Sequence, residues 1–66
     1  MNVAQIENHI KTRQEELESL IDFWNKFNDL NNNQPLKKEI YQEVQAKVSS
    51  RMAYLERSIR DHEDLL

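Results

Sequence analysis

The fold depends on one polar stretch near the middle of the chain, Asn28-Asp29-Leu30-Asn31-Asn32-Asn33-Gln34-Pro35. This stretch holds the only proline and a run of three asparagines, in a sequence without glycine. Asparagine tolerates the left-handed conformation that often ends a helix, and proline suits the first turn of the next helix. The stretch therefore predicts a short turn between two helices, about 3–29 and about 35–64.

The apolar residues on either side of this stretch recur at helical spacing. In the first half they alternate between steps of three and four, with Arg13 in a gap of the stripe. This stripe consists of Val3, Ile6, Ile10, Leu17, Leu20, Trp24 and Phe27. The second stripe consists of Ile40, Val44, Val48, Met52, Leu55, Ile59 and Leu66. Its repeated steps of four favour a period nearer 3.67 residues than the heptad value of 3.5.

A short connection between two helices usually makes them antiparallel neighbours. Folding the chain about the asparagine run pairs residues whose numbers add to about 65. Val3 is then expected near His62, and Trp24 near Tyr41. The sequence thus predicts an all-α, two-helix antiparallel hairpin that forms a single domain over residues 1–66. At the helix start, Asn2 and Gln5 fit a variant of the capping box.

Composition narrows the possible functions. The 66 residues include nine Lys or Arg, twelve Asp or Glu and no Cys, for a net charge of −3. The absence of Cys excludes disulfides and thiolate-bound zinc, and the absence of Gly excludes glycine-rich nucleotide loops. No apolar run reaches the ~18 residues of a membrane span, and the N-terminus lacks a signal-peptide pattern. We expect a cytoplasmic protein without cofactor, membrane contact or small-molecule substrate.

The first helix carries more apolar surface near the turn than one partner helix covers. Together with Ile21, the apolar residues there span about 180° of the helical wheel at 100° per residue. The surplus predicts contact with a second copy, as in a four-helix bundle, or with a helical client. The predicted contact residues are Leu20, Phe23, Trp24, Phe27, Leu30 and, from the stripe, Arg13. In the alternative interpretation, the turn folds back over Phe23 and Leu30.

The charged and titratable residues give weaker signals. The stem of Arg13 is expected to pack while its head reaches solvent, where Glu16 or Glu56 is a possible ion-pair partner. Arg13 is alternatively a contact that fixes oligomer register. The register above places His9 closer to Glu56 than to His62, so no metal site is expected. No Ser, His and carboxylate fall together in a catalytic arrangement, so we expect no enzyme.

Two families resemble this chain. Its length, turn position and heptad seam resemble the plasmid copy-number RNA-binding hairpin proteins, which implies a dimeric four-helix bundle. The stretch Gln34-Pro35-Leu36-Lys37-Lys38-Glu39-Ile40-Tyr41-Gln42 is similar to the turn of small co-chaperones for type III secretion needle subunits. That resemblance implies a chaperone role. Small phage-encoded inhibitors also share this size and acidity.

These observations favour a non-enzymatic protein-interaction module, acting as a small chaperone, assembly factor or regulator through its apolar face. Its expected partner is itself, as a homodimer or larger species, a helical protein client, or both. The alternative is a dimeric nucleic-acid-binding regulator. Six Lys or Arg residues lie on the second helix, but the negative net charge disfavours a general phosphate-binding surface.

Overall fold

Two α-helices make up the protein in the computed structural model, which describes residues 1–66. Helix α1 spans Val3–Asn33 and helix α2 spans Lys38–Glu63, and there is no β-strand. The helices pack side by side as an antiparallel hairpin measuring 47 × 17 × 12 Å. The predicted all-α helical hairpin is therefore confirmed. At a rise of ~1.5 Å per residue, α1 alone accounts for the long dimension.

Helix α1 begins with the predicted capping box. The Asn2 side chain accepts a hydrogen bond from the Gln5 backbone N–H at 2.8 Å, and the Gln5 side chain accepts one from the Asn2 N–H at 3.0 Å. Two N–H groups that have no partner within the helix are satisfied in this way.

Replacing the cap should weaken folding modestly. Asn2→Ala is expected to lower the free energy of unfolding by ~1 kcal/mol, because it removes the acceptor for the Gln5 N–H. The effect is measured by thermal melts followed by circular dichroism. Asn8→Ala is the matched control, since Asn8 is an exposed residue within the same helix. Equal melting temperatures for the two variants would mean that the capping box contributes nothing.

The end of α1 differs from the prediction. The asparagine run is helical up to Asn33, four residues beyond the expected end, and the turn is formed by residues 34–37. No residue has a positive φ, so the predicted left-handed asparagine is wrong. Helix α1 ends instead at Asn33, because the ring of Pro35 disfavours helical geometry in the residue before it, and Gln34 accordingly has φ −135° and ψ 82°.

The asparagines hold the turn through their side chains. Asn31 Oδ1 accepts a hydrogen bond from the Leu36 N–H at 2.8 Å, and the Gln34 N–H donates to the Leu30 carbonyl at 2.8 Å. Helix α2 begins at Lys38, beyond the proline, so the predicted placement of Pro35 in its first turn is also wrong.

The pairing of the two helices follows the prediction near the turn and departs from it toward the open end. Trp24 lies against Tyr41 as predicted, with ring centroids 5.7 Å apart. At the open end, however, His62 lies against His9 at 5.3 Å and not against Val3. The numbers of paired residues add to 65 near the turn, to 67 at Glu16 and Arg51 and to 71 at His9 and His62. The predicted register therefore holds near the turn and is lost gradually toward the open end.

The buried core is small and lies away from the turn. Ile6, Ile10, Val48 and Leu55 are the only buried residues among 66, and Leu55 alone is fully buried. The turn end has no fully buried side chain and is closed by half-buried aromatic rings. The hairpin therefore consists of an aliphatic end and an aromatic end.

Candidate interaction surface

Four aromatic rings form a connected cluster at the turn end. Phe27 stacks on Trp24 at 5.7 Å and on Tyr41 of α2 at 5.8 Å, and Phe23 stacks on Phe27 at 5.8 Å. Trp24, Phe27 and Tyr41 are half-buried. These three rings therefore join the two helices, and Phe23 extends the cluster outward.

Hydrogen bonds through Asn28 fix this cluster on the side of the hairpin away from Phe23. The Tyr41 hydroxyl donates to Asn28 Oδ1 at 2.6 Å, and Asn28 Nδ2 donates to the Trp24 carbonyl at 2.8 Å. Each partner restricts the rotamer of the next. Asn28 lies inside the predicted first helix, about 3–29, but sequence reasoning considered it only as part of the polar stretch and did not predict this contact.

Several apolar side chains at the turn end remain exposed to solvent, among them Leu36 within the turn at 42%. Phe23 is 47% exposed, Leu30 is 69% exposed and Ile40 of α2 is 47% exposed. We call these three residues the turn-end patch. The alternative that the turn covers Phe23 and Leu30 is wrong. Of the other predicted contact residues, Leu20, like Trp24 and Phe27, is half-buried within the hairpin.

The turn-end patch continues a row of residues along one flank of the hairpin. On α1 the row consists of residues spaced seven apart, which is about two helical turns, so they lie on one side of the helix. They are His9, Glu16, Phe23 and Leu30. Two of these residues contact α2, His9 through His62 and Glu16 through Arg51. Ile40 lies eleven residues before Arg51, close to three full turns, and so shares this flank.

An ion pair occupies the middle of this flank. The Arg51 guanidinium donates two hydrogen bonds to the Glu16 carboxylate, one from Nη2 to Oε1 at 2.8 Å and the other from Nε to Oε2. The guanidinium also lies 4.9 Å from the centre of the Tyr54 ring. The hydrogen bond from Arg51 lowers the pKa of Glu16, and the charges of Arg51 and Arg13 lower it further.

This ion pair should make folding slightly sensitive to acid. A carboxylate whose pKa is lower in the folded state stabilises the fold above its unfolded pKa, and that contribution is lost as the pH falls through the folded pKa. The wild-type melting temperature is therefore expected to fall more than that of Glu16→Gln between pH 6 and pH 3. Glu15→Gln, a change at an exposed neighbour, is the control. Parallel curves for wild type and Glu16→Gln would contradict this assignment.

Arg13 does not pair with Glu16 or Glu56 in the structure. Its Nη1 donates to His9 Nδ1 at 3.1 Å and lies 3.3 Å from the His9 carbonyl, while the buried Nε has no partner. The expected ion pair between Arg13 and Glu16 is wrong, because the Glu16 carboxylate is paired with Arg51. The expected separation of His9 from His62 is also wrong, because the register is shifted. A contact between Arg13 and a partner remains a prediction.

The rest of the surface offers no enclosed site. The clearest depression lies open on α2 and is lined by Ala46, Lys47, Ser50, Arg51 and Tyr54. No three His, Asp or Glu side chains converge in a geometry that would hold a metal ion. Neither helix combines enough length with enough apolar residues to cross a bilayer. The turn-end patch is therefore the strongest candidate for a functional surface.

Comparisons with protein-family models, with curated proteins and with solved structures found no match to this chain.

Proposed function

We propose that the protein is a non-enzymatic interaction module, a small chaperone, assembly factor or regulator that docks other helices on its turn-end patch. The observation that carries this proposal is the exposure of Phe23, Leu30 and Ile40 beside a stacked aromatic cluster. Aromatic residues are enriched at the centres of protein interfaces, where they supply large contact areas.

The rigidity of the cluster supports the same role. Phe23 rests on Phe27, which is itself held between Trp24 and Tyr41. The hydrogen bonds through Asn28 restrict Tyr41 further. A side chain that is already ordered loses less conformational entropy on binding, so more of the contact energy contributes to affinity.

The charges support protein contact more than nucleic-acid contact. Three of the nine basic residues are paired with carboxylates, Lys26 with Asp22, Lys47 with Glu43 and Arg51 with Glu16. The other six basic residues are outnumbered by the acidic ones in a chain of net charge −3, which disfavours a general phosphate-binding surface.

Two measurements test this proposal. The first is sedimentation of the purified protein together with thermal melts at several concentrations, because association makes the melting temperature depend on concentration. The second is capture of proteins from the native host on immobilised wild type and on Phe23→Ala. RNA and DNA binding at low and moderate salt is measured beside them.

If the proposal is correct, the Phe23→Ala variant loses either self-association or the binding of a captured protein. The Ile21→Ala variant keeps the same interaction. Ile21 is the matched control because it is 42% exposed and lies on the other flank of α1. Salt-sensitive nucleic-acid binding without any protein contact at the patch would overturn the proposal in favour of a nucleic-acid regulator.

A further inference from the structure

We infer that the flank bearing the turn-end patch binds a second copy of this chain, with the two turn ends side by side and a two-fold axis along the hairpin. This inference rests on the proposed function and specifies the partner and its orientation. In this arrangement, α1 of each copy faces α2 of the other.

The exposed area matches what such a dimer needs. The protein exposes 5260 Å², whereas a compact monomer of 8.0 kDa exposes about 4,450 Å². The excess of about 800 Å² belongs to the whole elongated hairpin, which measures 47 × 17 × 12 Å, and it equals the area that one partner contributes to a typical stable interface.

The row of residues along the flank is complementary to itself in this orientation. Within one hairpin, Glu16 of α1 lies level with Arg51 of α2. When α1 faces α2 of the copy with the turns together, Glu16 of each chain faces Arg51 of the other. Further along the row, Phe23 and Leu30 meet the side of α2 that carries Ile40. The opposite charges of Glu16 and Arg51 therefore coincide in the middle of the flank, and Phe23 meets an apolar part of α2 nearer the turn.

The reverse orientation lacks this match. With the turns at opposite ends, α1 faces α1 of the copy and α2 faces α2. If the two Phe23 rings meet at the centre, Leu30 lies against Glu16 of the copy, because both are seven residues from Phe23. In the same arrangement, Arg51 of α2 lies against Lys37 of the copy, and these two residues carry like charges. Charges buried against apolar or like-charged groups disfavour this arrangement.

The turn end also carries no net charge that would oppose the contact. Between Leu20 and Ile40 the chain has three acidic and three basic residues. They are Asp22, Lys26, Asp29, Lys37, Lys38 and Glu39. The net charge of −3 therefore belongs to the rest of the hairpin, and two turn ends can approach without overall repulsion.

Distances between spin labels test the orientation directly. The chain has no Cys, so Asn8→Cys and Asn32→Cys each provide one labelling site, one near the open end and one near the turn. Both residues are exposed. Packed helices lie ~8–10 Å apart, so both variants should give label-to-label distances below about 30 Å in the dimer. The reverse orientation centred on Phe23 would separate the Asn8 labels by about 45 Å along the axis.

Charge reversal provides a second test. Glu16→Arg and Arg51→Glu each place like charges together, and each variant alone is expected to associate about fivefold or more weakly than wild type. An equimolar mixture should recover wild-type association within about twofold, because the introduced arginine of one chain then faces the introduced glutamate of the other. Circular dichroism verifies that each variant keeps its helicity.

Three results would overturn the inference. The first is a distance of about 45 Å or more between the labels at position 8. The second is a mixture of the charge-reversed variants that associates as weakly as either variant alone. The third is a protein that stays monomeric. A monomer that still captures a host protein through Phe23 would overturn the inference and leave the proposed function standing. A monomer that captures nothing through the patch would overturn both.

Discussion

Leu55→Ala is expected to destabilise the protein by ~2–5 kcal/mol, the largest loss for any single truncation in this chain. Leu55 is the only fully buried side chain, and just three other residues are buried with it. With so few core residues, no neighbouring group is available to fill the cavity. The change should appear as a lower melting temperature and a lower denaturant midpoint.

Leu65→Ala is the control for this prediction, because Leu65 follows α2 and is 63% exposed. It should melt within a few degrees of wild type. Leu17, another apolar residue of the predicted seam, is only half-buried, and its truncation should cost less than that of Leu55. If Leu55→Ala melted like Leu65→Ala, the pairing of the helices described above would be wrong.

Phe23→Ala is expected to weaken association by ~1–3 kcal/mol and to leave helicity largely intact. The Phe23 ring is 47% exposed and touches the hairpin mainly through Phe27, so the contacts between the helices do not depend on it. Sedimentation or client capture gives the change in affinity, and circular dichroism gives the helicity.

Ile21→Ala provides the comparison on the other flank and should change neither quantity appreciably. Two outcomes would count against the assignment. If Phe23→Ala unfolded the chain as severely as Leu55→Ala, Phe23 would belong to the core. If it altered neither association nor folding, Phe23 would be an exposed aromatic residue without a role in binding.

The sequence predicted the helices better than their ends. The capping box at Asn2 and Gln5 was recognised because it depends only on residues three positions apart. The asparagine run was misread because asparagine can either end a helix or continue it. Here its side chains bond within the helix and to the Leu36 N–H, and Pro35 ends α1 through its effect on Gln34.

The exposure of apolar residues near the turn was predicted better for the group than for single residues. The surplus of apolar residues near the turn predicted that some would stay exposed, and Phe23 and Leu30 do. Ile40 was assigned to the seam, yet it is 47% exposed on the flank. A helical wheel gives the angle of a residue around its own helix, but the position of the neighbouring helix decides which angles are covered.

Local signals in the sequence determined that this chain forms two helices joined by a polar turn, because periodicity, capping and the effect of proline act over a few residues. Only the tertiary structure decided the register, and with it the pairing of Glu16 with Arg51 and of His9 with His62. Trp24 still meets Tyr41 although α1 ends four residues later than predicted, so the end of the helix does not by itself set the pairs. The pairs depend on how the side chains of two whole helices pack against each other, which no local sequence pattern reports.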